Sequence, residues 1–322
     1  MINFFRTNQP LIAYILLPVA ILFMLPVFVL NQPYEFNFFL GSFFSKTPLL
    51  LQHMLVLLLL FFNAININSF VAKYLIPKEK NYLAGLFYLL LTSVQLYWFG
   101  FSGFMVATIF LLPSLSYILS INHQKKILDL SFRAGFWLGI SILFENSLIV
   151  LMIFYLFLFF FSRSRSLRES FVLIVGLLIP FFFYLPYFLI NNLPLLNNDF
   201  HFGLPTIQDF WLKISLFEKI FLFSSLFIFI ISILSFQKNL QKSVHNDKIS
   251  KKTFFIVGIG MVIISLFNSF INFTDYLTIL TFILATTIPS FFLVFRKEKI
   301  GKLTLNLYVY LIIFLIVVDY FY

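Results

Sequence analysis

Six side chains in this 322-residue chain combine the chemistry of acids, bases or phosphate ligands with positions just beyond the ends of long apolar runs. Glu35 stands alone in "NQPYEFNFF" (Asn31 to Phe39). A carboxylate where lipid meets water can take a proton from an acceptor hydroxyl, or bind a divalent cation that neutralises a phosphate. Glu145 sits in "SILFENSL" between two short apolar runs, with only Asn146 beside it as a break. Asp199 and His201 in "NNDFHF" have the i, i+2 spacing that puts both on one side of an extended segment, where they can share a metal or a proton. Lys46 and Lys213 are the cations nearest these acids and the natural grips for phosphate. Asp275, in "NFTDY", adds a further carboxylate. The plain alternative for each acid is a solvated loop residue.

Other chemistries are closed off. The chain has no cysteine, which excludes disulfides, thiolate metal sites, iron–sulfur clusters and a thiol nucleophile. Its four histidines, His53, His123, His201 and His245, form no pair at helical metal spacing. Within the apolar runs, Gln52, His53, Asn63 and Asn66 are the polar groups that either bond neighbouring helices or line a path, and packing is the expected role. "GFWLG" (Gly135 to Gly139) places two glycines four apart, a spacing that lets helices approach closely.

The elements that position these residues follow from composition. Only 11% of residues are charged, against roughly 25% in soluble domains, and mean hydropathy is +1.00. The chain therefore reads as an all-α, polytopic transmembrane bundle in one domain, 1–322. Eleven apolar runs are expected to be spans: Leu11 to Leu30, Pro48 to Val71, Tyr82 to Phe99, Phe104 to Ser120, Phe132 to Phe144, Ser147 to Phe161, Ser170 to Ile190, Ile220 to Phe236, Thr253 to Ile271, Tyr276 to Phe295 and Leu303 to Tyr320. The fifth and sixth are short enough to be either a full-spanning hairpin or a re-entrant pair. Prolines 113, 180, 186 and 289 interrupt the runs and favour a bundle with an internal cavity. Residues 31–47 form the first outer loop, and 191–219 reads as an interfacial segment on the outer leaflet.

Orientation comes from lysine and arginine, which are retained in the cytoplasm. With the N-terminus inside and the C-terminus outside, 19 of the 22 fall in inner segments and only Lys46, Lys213 and Lys219 outside. The net charge of +10 is thereby explained by membrane topology and anionic lipid, without nucleic acid. Most carboxylates, Glu35, Glu145, Asp199 and Asp275 among them, fall at the outer face. No inner segment is large enough for a nucleotide-binding domain, and no glycine-rich phosphate loop occurs.

The start "MINFF" and the stretch from "FRAGFWLGISILFENSLIVLMIFYLFLFF" into "VLIVGLLIPFFFYLPYFLI" (Phe132 to Ile190) resemble a family of bacterial polytopic membrane proteins of unassigned activity. More distantly, the many spans, inner N-terminus and acid in the first outer loop resemble the type-C membrane glycosyltransferases. That resemblance implies transfer of a sugar from a polyprenyl-phosphate lipid at the outer face of the bacterial cytoplasmic membrane. Glu35 would be base or metal ligand, supported by Glu145, Asp199 and His201, with Lys46 and Lys213 on phosphate. Type-C enzymes usually pair two carboxylates in that loop, whereas Glu35 stands alone, which leaves two alternatives: an inactive relative, or a second acid supplied by Glu145 or Asp199. A divalent cation is the one cofactor such chemistry would use. Two other classes fit the composition: a flippase or carrier for a lipid or small solute, and a non-catalytic assembly subunit with a membrane-protein partner.

Overall fold

A computed structural model describes residues 5, 11–30, 34, 41–75, 81–121, 127–162, 167–191, 215–242, 245–267, 273–294 and 298–321. Among these residues there is no strand, and eleven helices of 14 residues or more coincide with the eleven apolar runs. They are α1 (Leu11–Leu30), α2 (Leu49–Phe70), α3 (Leu83–Phe99), α4 (Gly103–Ser120), α5 (Ile127–Phe144), α6 (Ile149–Ser162), α7 (Leu167–Asn191), α8 (Leu216–Lys242), α9 (His245–Phe267), α10 (Phe273–Val294) and α11 (Glu298–Phe321). A π-helical turn, Val71–Leu75, continues α2. Six helices, α1, α2, α4, α5, α7 and α8, are long and apolar enough to cross a membrane. At 1.5 Å per residue, 20 residues cover the roughly 30 Å hydrocarbon core. This is a membrane protein built of helices.

Several helices outrun their apolar stretches. α8 continues through Gln237, Lys238 and Lys242, and α9 begins at His245 rather than Thr253, so the basic segment between them is largely helical. Lys and Gln are good helix formers, and a lysine can send its ammonium group to water while its stem lies along the bundle. α5, α7 and α11 likewise begin three to five residues before the apolar runs do.

α3 and α10 pack together at the centre. Every residue from Leu83 to Leu96 and from Leu277 to Ser290 is buried, as expected of helices apolar on all sides. α3 also touches α1, α2 and α11, and α10 touches α4, α8, α9 and α11. Several of their hydroxyls are satisfied within the helix: Thr92 Oγ1 donates to Tyr88 O at 2.6 Å, and Thr287 Oγ1 to Ile283 O at 2.8 Å. The outward faces are apolar instead of polar. Phe182 and Phe183 on α7 are 74% and 76% exposed, and Phe223 on α8 is 64% exposed. Such surfaces suit lipid.

Contacts between helix ends fall into two groups. At one end, Trp98 of α3 meets Phe221 of α8 and Asp319 of α11, Ser102 meets Thr278 of α10, and Glu145 lies against Gly103 at the start of α4. At the other, Asn68 of α2 meets Gly85 of α3, Phe254 of α9 meets Phe70 and Phe236, and Arg133 of α5 lies over Tyr117 of α4. Each of these helices therefore runs antiparallel to its sequence neighbour where the two ends meet.

Candidate functional site

The end that carries Tyr34, His53 and Glu145 is the one the charge pattern expects to face outward. There, the first turns of α2 carry Gln52 and His53, both buried (4% and 5% exposed). His53 Nδ1 lies 2.9 Å from the Tyr34 hydroxyl, across 19 residues of chain. The ring is held edge-on by Phe28, 5.2 Å between centroids, and by Tyr34, 5.1 Å. Tyr34 in turn packs on Phe101 in the α3–α4 connection. Burial pushes the Tyr34 phenol well above its ordinary range, so it is protonated at any physiological pH.

Gln52 does the same work at the other end of the first loop. Its Nε2 donates to Thr47 O at 3.0 Å and more weakly to Phe44 O and Ser45 O at 3.4 and 3.5 Å. The turn it holds is closed by Thr47 Oγ1 donating to Phe44 O at 2.7 Å and by Ser45 N–H donating to Gly41 O at 2.8 Å. Lys46, between Ser45 and Thr47, is exposed. Two consecutive residues of α2 thus hold both ends of the first loop: His53 through Tyr34, and Gln52 through residues 44–47.

Glu145 is half-buried, and its carboxylate has a structural job. Its Oε1 accepts from Ser147 N at 3.4 Å, capping the 3-10 turn Asn146–Leu148 that opens into α6. Its Oε2 lies beside Gly103, at the N-terminal turn of α4, where the helix dipole favours negative charge. Glu35, Asp199, His201 and Lys213 lie outside the described residues, as does most of 191–219, so of the six only Lys46 and Glu145 are described, on separate connections at this end. Among the described residues, no three His, Asp or Glu side chains cluster to hold a metal ion.

Compared with protein-family models, curated protein sequences and solved structures, the chain matches none.

The polar groups deeper in the bundle act as packing ties. Asn63, fully buried, donates from Nδ2 to Met105 O at 2.8 Å and to the Tyr88 hydroxyl at 3.1 Å, joining α2, α3 and α4. Asn68 Oδ1 accepts from Gly85 N at 2.7 Å and so caps α3 from a neighbouring helix. Arg133 is exposed at the opposite end, 3.1 Å from Asp129. The sequence favours packing between helices for Gln52, His53, Asn63 and Asn66; Asn63 does tie three helices, whereas the bonds of Gln52 and His53 go to the first loop. What sequence reasoning missed is Tyr34, whose one signal was its position immediately before the loop acid.

Proposed function

We propose that this protein transfers a sugar from a polyprenyl-phosphate donor at the outer face of the bacterial cytoplasmic membrane, in the manner of type-C membrane glycosyltransferases. In this reading all eleven helices cross the membrane, the N-terminus is cytoplasmic and the first loop is external. The observation that carries it is the double anchoring of that loop by Gln52 and His53. A loop that presents a reacting carboxylate must be held near its productive geometry, and these two anchors supply such a hold. Glu35, next in sequence to the buried Tyr34, is the acid such an anchor would serve, as proton acceptor for the incoming hydroxyl or as ligand to a divalent cation. Lys46, exposed on the clamped turn, is available to a lipid phosphate. Glu145 is assigned to capping, which leaves Asp199 and His201 as the supporting pair.

The test is the mass profile of polyprenyl-linked and protein-linked glycans in wild-type, deletion and Glu35→Gln strains. Glycans shortened by one sugar in both mutants are the expected result. Unchanged glycans in the deletion strain sink the transferase reading.

A further inference from the structure

Among the described residues His53 Nε2, which is buried, has no hydrogen-bond partner, although the other ring nitrogen is bonded and the ring itself is fixed on two sides. A buried polar atom left unpaired in so ordered a setting calls for a partner that the described side chains do not supply, a water or a ligand. We propose that His53 Nε2–H donates to a phosphate oxygen bound at this end of the bundle, with Tyr34 as its positioning residue and Lys46 as the counter-charge.

The chemistry follows from the pairing. A phenol donating to Nδ1 leaves the proton of the neutral imidazole on Nε2, which makes that atom a donor. A donor in apolar surroundings bonds most strongly to an anionic oxygen. Lys46 is exposed on the turn that Gln52, the residue preceding His53, holds by its carbonyls. At the depth of helix ends, anionic oxygen belongs to lipid phosphate. The same contacts suit a free phosphate, so the two sources must be separated. The inference rests on the outer-face site proposed above and adds to it a ligand-binding residue on α2, outside the first loop.

The experiment uses the full chain in phosphatidylcholine nanodiscs with three probes: a polyprenyl phosphate, phosphatidic acid and inorganic phosphate. Binding is measured alongside 15N spectra of histidine-labelled protein, His53 being assigned by His53→Gln. Expected are saturable binding of the polyprenyl phosphate and a proton on Nε2 before binding. The Nε2 signal moves on binding, and affinity falls about tenfold in His53→Phe, the loss of one hydrogen bond to a charged group. In Tyr34→Phe the proton is no longer confined to Nε2 and affinity falls several-fold. Equal, His53-dependent binding of phosphatidic acid supports a general lipid-phosphate site. Binding of inorganic phosphate alone overturns the lipid source. A bare Nε2, or affinity unchanged in a His53→Phe protein that melts like wild type, overturns the donor role; His53→Gln serves the same comparison if the phenylalanine variant does not fold. His53-dependent binding with unchanged glycans in the deletion strain would keep this site and reject the transferase, and the reverse pattern would reject this site alone.

Discussion

The Tyr34–His53 contact does at the residue scale what no single apolar pair can: it fixes one point of a loop to a helix through a directional bond. Removing the hydroxyl in Tyr34→Phe strands His53 Nδ1 as well as Nε2, at a cost of about 1–3 kcal/mol for a newly unsatisfied buried group. A lower melting temperature and faster proteolysis within 31–47 are the expected readouts. The pH sign also follows. Tyr34 keeps its proton in the folded state beyond the point, about pH 10, at which an unfolded phenol loses it. Its contribution is therefore complete below that pH and is lost as pH rises further. Alkaline melting should accordingly be less steep in Tyr34→Phe. At the same end, Trp98 Nε1 donates to Asp319 Oδ2 at 2.8 Å. A double-mutant cycle with Trp98→Phe and Asp319→Asn should return a coupling of about 1.5–3 kcal/mol, the range for a bond to a charged acceptor. Neither pair could be read from the sequence, because 19 and 221 residues separate the partners.

Between elements, α5 and α7 approach closely through glycines. A Cβ on Gly135 would strike the carbonyl of Leu173, one on Gly139 that of Leu177, and one on Gly176 that of Phe132. The glycine pair of "GFWLG" is legible from its spacing, but its reciprocal partner Gly176 is not, since only the register of the two helices brings it opposite Phe132. Gly135→Ala and Gly176→Ala should each destabilise by about 1–3 kcal/mol or more, because backbone rather than a flexible side chain must move. Gly258→Ala on α9, where nothing lies within 4 Å of the added carbon, should be neutral or gain up to about 1 kcal/mol in helix propensity. Melting temperatures in one detergent compare all three. Gly100, which ends α3 with φ of +84°, is a separate case: its backbone region is closed to other residues, so Gly100→Ala is strained despite open space. Element type was legible throughout because lipid leaves an unpaired backbone no alternative to the helix. Helix ends were less so, since polar residues such as the lysines of 248–252 extend a helix without adding hydropathy.

For the whole molecule, alternate helices meet end to end in two layers, with exposed Lys73 and Arg133 at one and exposed Lys46 at the other. The chain is naturally free of cysteine, so single insertions report topology directly. In intact cells, a membrane-impermeant maleimide should label Lys46→Cys and Asn146→Cys, and should reach Lys73→Cys and Arg133→Cys only after permeabilisation. Labelling at Asn146→Cys would make α5 and α6 a full-spanning hairpin; protection there would make them re-entrant and reduce the number of crossings. The sequence by itself determined the helical class, the position of the runs and the expected sidedness, because hydropathy and the retention of Lys and Arg are local properties that add up along the chain. Tertiary structure alone decided that α3 and α10 form the centre and that Glu145, which caps the turn into α6, lies against the start of α4. It also decided that Gln52 and His53 clamp the first loop, since each depends on which faces of distant helices are brought within the 3–4 Å over which hydrogen bonds and packing act.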